Sequence, residues 1–401
     1  MESWRRNVFV LWAAVFIASA CWTMVMPFMP VFLGDDLGVT VGVTVWAGVL
    51  GAVNSGFSAL SAPLWGALGD RWGRKAMMVR AGIFLGASYV LMSLVRTPVE
   101  LLGVRIMIGA LTGFIPTATA LVATTTPERH LGRALSLVQT GNQAGSILGP
   151  MLGGVLADLV GIRTTMMLSG VFVFAATLLV LVSVREQFER QPQQAGNLVG
   201  DMRHVLQGGA LLLVLLVSTL MQSSQSAMEP ILVPYIKELL GPGQPNWLAG
   251  VIYSLPGLAF IVAAPRWAAL GERWGYTVTV SVGLLGAALL TIPQALVSSG
   301  LGMGVFRLTA GLALAAVSPG IAALITELVP REQRGKAFGL NQSAFNLGAM
   351  LGPLLGGVLG DRAGVRWVFP LTAVLLLFAA GWCWMVVRAR VQQQTGTRQS
   401  A

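Results

Sequence analysis

Long apolar segments follow one another along almost the entire chain and are separated only by short polar loops. Twelve of them are long enough to cross a bilayer, because a spanning helix needs about 20 mostly apolar residues. Hydrocarbon offers no partner for a free backbone N–H or C=O, so each segment is predicted to be helical. The predicted spans are 8–33, 43–67, 76–95, 99–123, 133–157, 164–184, 209–236, 247–267, 276–297, 301–326, 336–360 and 366–387.

Composition supports a membrane protein and argues against a water-soluble one. Only 10% of the 401 residues are charged and 55% are hydrophobic, whereas a soluble domain has roughly a quarter charged residues. A net charge of +10 could suggest nucleic acid, but no basic stripe alternates with aromatic residues, so no nucleic-acid partner is expected. The first apolar run is too long for a cleavable signal peptide and is predicted to be the first span.

The chain lacks the residue patterns of common enzyme and metal sites. Cys21 and Cys383 lie in apolar segments, with neither disulfide-framework nor metal-ligand spacing. There is no Ser/His/Asp set and no G-x-x-x-x-G-K-[ST] loop that would bind ATP. We therefore expect no enzyme activity, no metal and no cofactor.

The distribution of basic residues predicts the orientation in the membrane. With the N-terminus in the cytoplasm, most of the 26 lysine and arginine residues fall in cytoplasmic loops, as the positive-inside rule requires. This predicts a multi-pass membrane protein with both termini in the cytoplasm. Arg105 and Arg307 are left inside the membrane.

The sequence also contains an internal repeat. Residues 127–163 and 330–366 share many identical residues without gaps, and residues 69–73 are echoed by 271–275. We predict an all-α membrane protein in which twelve helices form two pseudo-symmetric six-helix bundles, 1–184 and 209–401, joined by a cytoplasmic linker, 185–208. Parallel halves of this kind suit alternating access around a midplane site, and together they would make a sufficient monomer.

Two motifs resemble signatures of the major facilitator superfamily. The loop after the second span reads GALGDRWGRK, similar to G-x-L-x-D-R-x-G-R-K, and the fourth span has Arg105 followed by Gly109, similar to R-x-x-x-G. In that family the loop helps to latch the cytoplasmic gate. The alternative is a basic loop that only anchors the cytoplasmic side. The resemblance implies the latch role for Asp70, Arg71, Arg74 and Lys75.

A glycine row in the fifth span is the most specific functional signal. Its four-residue spacing creates a flat helix face on which another helix can pack closely. It resembles the antiporter signature G-x-x-x-G-P-x-x-G-G, which is typical of exporters, although pure packing is the alternative. The row comprises Gly141, Gly145, Gly149, Pro150, Gly153 and Gly154, and the eleventh span repeats it with Gly348, Gly352, Pro353, Gly356 and Gly357.

These motifs, together with WRRN at 4–7 and MPFMP at 26–30, resemble bacterial multidrug exporters of the 12-helix drug:proton antiporter group. The resemblance implies proton-driven efflux of small amphipathic compounds. An exporter of one metabolite, sugar or lipid-linked substrate is the main alternative. Uptake symport, a sensor and a scaffold are weaker ones.

An antiporter needs a titratable group that both sides can reach. Glu229 is the clear carboxylate within a span, and Gln222 and Gln225 recur on the same helical face. Burial there would suit a group that exchanges a proton near neutral pH, and the same carboxylate could bind a cationic drug. The alternative is a solvated residue near the outer surface. Arg105 and Arg307 are further candidates, because charges within hydrocarbon are costly and mark functional sites by default.

A substrate cavity is expected among the first, fourth, seventh and eighth spans, the usual superfamily positions. For any single methionine or aromatic residue, core packing or lipid contact is the alternative. The candidate lining residues are Trp22, Met26, Phe28, Phe114, Gln222, Gln225 and Tyr253.

Overall fold

The computed structural model describes residues 3–186, 210–330 and 333–399. Within these ranges all regular structure is helical, and twelve segments are long and apolar enough to cross a membrane. They are α1 Trp4–Asp36, α2 Val43–Trp72, α3 Arg74–Leu94, α4 Pro98–Thr125, α5 Glu128–Val160, α6 Ile162–Ser183, α7 Leu211–Leu240, α8 Asn246–Trp274, α9 Tyr276–Ala295, α10 Gly300–Leu328, α11 Arg334–Arg362 and α12 Val365–Met385.

The predicted fold class is confirmed, and every predicted span overlaps one observed segment. The α2 and α8 helices run well past the predicted ends of their spans, to Trp72 and Trp274. Charged residues end the apolar stretch there, but the helical backbone continues until a glycine with positive φ stops it. Gly73 has φ +92° and Gly275 has φ +86°, a conformation that glycine adopts at little cost.

Prolines within the spans lie inside continuous helices at some positions and beside breaks at others. Pro150 and Pro353 lie inside continuous helices. In contrast, α4 breaks between Leu111 and Phe114, so Pro116 lies in the first turn of a new helical piece. There the missing N–H of proline costs little. A similar break precedes Pro319 in α10.

The chain divides into two compact units. The first comprises Met1–Gln193 and Leu232–Ser254, and the second comprises Gln194–Ile231 and Leu255–Ala401. Each has its own apolar core, represented by Leu11, Tyr89 and Ile108 in the first unit and by Leu284 and Ile325 in the second. The predicted linker lies outside the described residues from position 187 onward.

Candidate functional site

Arg105 on α4 is buried within the first unit, with only 3% of its surface exposed. Its Nε donates to the Leu50 carbonyl at 3.4 Å, and its Nη1 lies 2.8 Å from the Met26 sulfur. The guanidinium carbon also lies 5.4 Å from the centroid of the Trp22 ring, within the range of a cation–π contact. The guanidinium thus lies against a carbonyl oxygen, a thioether sulfur and an aromatic ring.

Two of the predicted cavity residues, Trp22 and Met26, therefore lie beside Arg105. Phe28 and Phe114 are buried side chains of the first unit. A Cβ built on Gly82 would lie 2.9 Å from the Phe114 ring, so this ring fills space between helices. The burial of Phe28 and Phe114 favours a packing role over contact with a substrate. Tyr253 on α8 is half-buried.

The second unit brings Arg307 and Gln225 to the same small cavity, which has a volume of about 20 Å³. On the same helix as Gln225, the half-buried Gln222 donates through its Nε2 to the Ser226 hydroxyl at 2.8 Å. Gln222 and Gln225 therefore lie on one helical piece of α7 together with several serine hydroxyls. The cavity is also lined by Ser224, Pro256 and Gln294.

Glu229 is placed differently from the sequence expectation. The α7 helix is interrupted at Met228, and Glu229 begins its second piece, Glu229–Leu240, with an exposed side chain. The expected burial is therefore not found. Because Pro230 has no N–H to continue the hydrogen-bond ladder of the preceding helix, the regular helix cannot run through this point unchanged.

The loop between α2 and α3 brings part of the predicted gate together. Asp70 near the end of α2 and Arg74 at the start of α3 form an ion pair, and Arg74 Nη1 donates to the Gly66 carbonyl at 3.5 Å. Arg71 is exposed and Lys75 is half-buried. The pair spans the tight turn at Gly73, so breaking it would loosen the connection between the two helices.

Sequence reasoning missed Glu186, which follows α6. Its two carboxylate oxygens accept the backbone N–H groups of Arg74 at 2.8 Å and of Lys75 at 2.9 Å. A carboxylate at a helix N-terminus satisfies free donors and complements the helix dipole. The only signal in the sequence was an acidic residue within a basic segment, which does not reveal its distant partner.

The glycine row of α5 packs against α1 in the first unit. A Cβ built on Gly141 would lie 2.8 Å from the Trp12 carbonyl oxygen, and one on Gly149 would lie 2.6 Å from that of Ala20. A Cβ at positions 145 and 153 would also overlap backbone oxygens of α1. The two backbones are therefore too close for any side chain at these positions.

The second unit repeats this arrangement between α11 and α7. A Cβ on Gly348 would lie 2.5 Å from the Thr219 carbonyl oxygen. Ser218 donates to Asn341 at 2.6 Å, just as Ser19 of the first unit donates to Asn142 at 2.5 Å. The sequence repeat thus corresponds to a repeated mode of helix packing.

Asp158, at the end of α5, clamps the start of α8 within the first unit. One carboxylate oxygen accepts the Asn246 backbone N–H at 2.9 Å and its side-chain amide at 2.7 Å, and the other accepts the Trp247 N–H at 3.0 Å. Close packing supports the clamp, because a Cβ on Gly154 would lie 2.6 Å from the Trp247 Cα. This contact was also missed from the sequence.

We expect Asp158→Ala to lower the free energy of unfolding by about 1 kcal/mol, the usual effect of losing an N-terminal helix cap. Thermal unfolding of the purified protein in detergent measures this. Asp158→Asn is the graded control, since its amide oxygen still accepts one of the bonds and should lose less. Equal stability of the alanine variant and the parent would show that the clamp contributes nothing.

The described residues contain no group of three or more His, Cys, Asp or Glu side chains that could hold a metal ion. The site features are instead a buried cation, a polar helix face, and closely packed glycine rows. On a repeated twelve-helix scaffold, these features define a membrane transporter of the secondary class.

The comparisons identify the family. The family model of the Major Facilitator Superfamily matches residues 11–303 and 214–400, and the chain belongs to this superfamily. The protein is a multi-pass membrane protein and a secondary transporter.

Curated relatives match nearly the full chain. The chain is 35% identical over 395 residues to the multidrug resistance protein MdtG of Escherichia coli strain SMS-3-5, covering 97% of this chain and 96% of the relative. The MdtG protein of Escherichia coli strain K12 is also 35% identical over 395 residues, with the same shares of the two chains covered.

Solved transporters share the fold at low sequence identity. A bacterial homologue of the human lysosomal transporter Spinster superimposes with a TM-score of 0.81 at 15% identity, covering 98% of both chains. The nucleoside transporter NupG gives a TM-score of 0.81 at 12% identity, covering 95% of this chain and 99% of NupG.

Proposed function

We propose that the protein is a proton-coupled exporter of small amphipathic drugs or xenobiotics that works by alternating access. The observation that carries the proposal is the 35% identity to a multidrug resistance protein across 97% of the chain. We infer exporter activity for this chain from that relative. The protein acts as a monomer in a bacterial inner membrane, with both termini in the cytoplasm.

The packing of the glycine rows supports an exporter with rocking halves. Because α5 and α1 meet backbone to backbone, they form a rigid pair that can move as one body. The Asp70–Arg74 pair strengthens the α2–α3 turn on the cytoplasmic side. Alternating access requires groups of helices that move as rigid bodies.

The geometry around Arg105 supports a substrate site in the first unit. Trp22 and Met26 supply an aromatic face and a polarisable thioether next to the guanidinium. Flexible thioether side chains adapt to many apolar shapes, which suits a range of amphipathic substrates. In the second unit, Arg307 and Gln225 are among the polar residues that line a second cavity.

Proton coupling is assigned to Glu229. We expect Glu229→Gln to abolish efflux driven by a pH gradient and to leave expression intact. The exposed carboxylate can exchange a proton with an aqueous space, and glutamine cannot. Substrate counterflow without a pH gradient should survive, because that exchange needs binding but no net proton movement.

Glu238→Gln provides the matched control, since this exposed glutamate lies on the same helical piece near its end. It should retain gradient-driven efflux. Full gradient-driven activity in Glu229→Gln would remove Glu229 from the coupling role and leave the exporter proposal in place.

The function itself is tested with purified protein in liposomes that contain a pH-sensitive dye. A proton gradient is imposed, and lipophilic cations, neutral drugs and sugars are added in turn. Proton flux with several unrelated amphipathic compounds is the expected result. Flux with a sugar or a single metabolite alone would contradict the multidrug proposal and favour a dedicated exporter.

A further inference from the structure

A large cavity on the first unit lies away from Arg105. It has a volume of about 920 Å³ and lies where the start of α3 approaches the end of α6. The positive-inside rule places this end of both helices at the cytoplasmic face. The residues that matter for its chemistry are Trp72, Lys75, Arg80, Leu181, Arg185 and Glu186.

Positive charge dominates the wall of the cavity. Lys75, Arg80 and Arg185 line it together with one carboxylate, Glu186. That carboxylate already accepts two backbone N–H groups at the start of α3. In the part of the chain that the structure describes, the side chains of Lys75 and Arg185 form no ion pair.

The backbone holds both of these basic residues in place. Asn7 is buried; its Nδ2 donates to the Arg185 carbonyl at 2.8 Å, and its Oδ1 accepts the Arg185 N–H at 3.2 Å. Glu186 in turn accepts the N–H of Lys75 at 2.9 Å. The backbones of Lys75 and Arg185 are thus held at the cavity by hydrogen bonds that do not use the charged groups.

Arg80 adds a third charge, and its guanidinium contacts residues of α2 and α4. Its guanidinium carbon lies 3.3 Å from the centroid of the Trp65 ring, and its Nη2 donates to the Thr112 carbonyl at 3.1 Å. The arginine therefore contributes positive potential to the cavity, while Lys75 and Arg185 are left to make direct contacts.

The remaining wall is apolar and includes exposed side chains. Ile83 on α3 is 48% exposed and Leu181 on α6 is 49% exposed. Trp72 is 64% exposed, and tryptophan is enriched at the level of lipid headgroups. A ligand that fits has an anionic head and long apolar tails.

We propose that this cavity binds the headgroup of an anionic phospholipid from the cytoplasmic leaflet. Lys75 and Arg185 contact the phosphate, and the acyl chains lie over Ile83 and Leu181. Basic pockets between spanning helices on the cytoplasmic side are suited to such headgroups. The site does not depend on the proposed transport activity.

The test uses the full-length purified protein and native mass spectrometry, with phosphatidylglycerol and phosphatidylcholine as the lipid probes. Phosphatidylglycerol should bind more tightly. Lys75→Gln and Arg185→Gln should each weaken its binding about five-fold, since one basic residue near an anionic surface contributes that much. Arg129→Gln, a cytoplasmic-side change outside the cavity, should leave binding unchanged.

Two further comparisons make the result decisive. The charge-conserving variants Lys75→Arg and Arg185→Lys should bind phosphatidylglycerol like the parent. This result would show that weaker binding by the glutamine variants is due to the lost charge and not to misfolding. Equal weakening by Arg129→Gln, or no preference for phosphatidylglycerol, would overturn the proposal. Displacement of the lipid by an equal concentration of glycerol 1-phosphate would also overturn it, because the site would then select a soluble anion.

Discussion

Replacing Gly145 by alanine is expected to destabilise the protein by about 1–3 kcal/mol, the typical cost of overpacking. The added methyl group would overlap the Phe16 carbonyl oxygen and lie 2.9 Å from the Ala20 nitrogen. Both are backbone atoms of α1, so no rotamer change relieves the clash. The two helices must separate along their closest contact.

Gly132→Ala is the matched control on the same helix. A Cβ on Gly132 meets nothing within 4 Å, so this variant should gain up to about 1 kcal/mol from the higher helix propensity of alanine. Thermal unfolding in detergent should therefore shift in opposite directions for the two variants. A Gly145→Ala protein as stable as the parent would show that α1 and α5 can spread freely.

The second large effect is expected for Arg105→Met, which should reduce transport roughly ten- to hundred-fold. This corresponds to the loss of hydrogen bonds from a charged group to the substrate. The variant should still fold, because methionine fills similar space and removes a charge from an apolar interior. Efflux rate and unfolding temperature are measured on the same preparations.

Arg96→Met is the control for the removal of a positive charge. Arg96 is exposed in the connection just before the start of α4, and its variant should transport normally. Arg105→Lys should recover only part of the activity, since lysine keeps the charge but lacks the planar donor fork. Normal transport in Arg105→Met would reduce Arg105 to a packing residue.

The two glycine rows show why the sequence predicted a closely packed helix face but did not predict which helix packs against it. The four-residue spacing of Gly141 and Gly145 defines a flat helix face by geometry alone. The spacing does not identify the opposing helix. In the structure this helix is α1 for the row and α8 for Gly154. The partner depends on how the helices assemble.

Glu229 illustrates the opposite situation. The polar residues before it were correctly placed on a helix, but the inference of burial failed because α7 is interrupted at Met228. A helical pattern assumes an unbroken backbone, and Pro230 removes the donor that would continue it. The interruption changes the exposure of the side chain without changing the apolar character of the span.

The sequence alone determined the twelve spans, the fold class and the internal repeat, because each rests on local apolar length or on internal similarity. Only the tertiary structure decided which distant groups meet: Glu186 with the start of α3, Asp158 with the start of α8, and Arg105 with Trp22. Hydrogen bonds and ring contacts act over a few ångströms between residues far apart in the chain. Their partners are therefore fixed by helix packing and not by any neighbouring stretch of sequence.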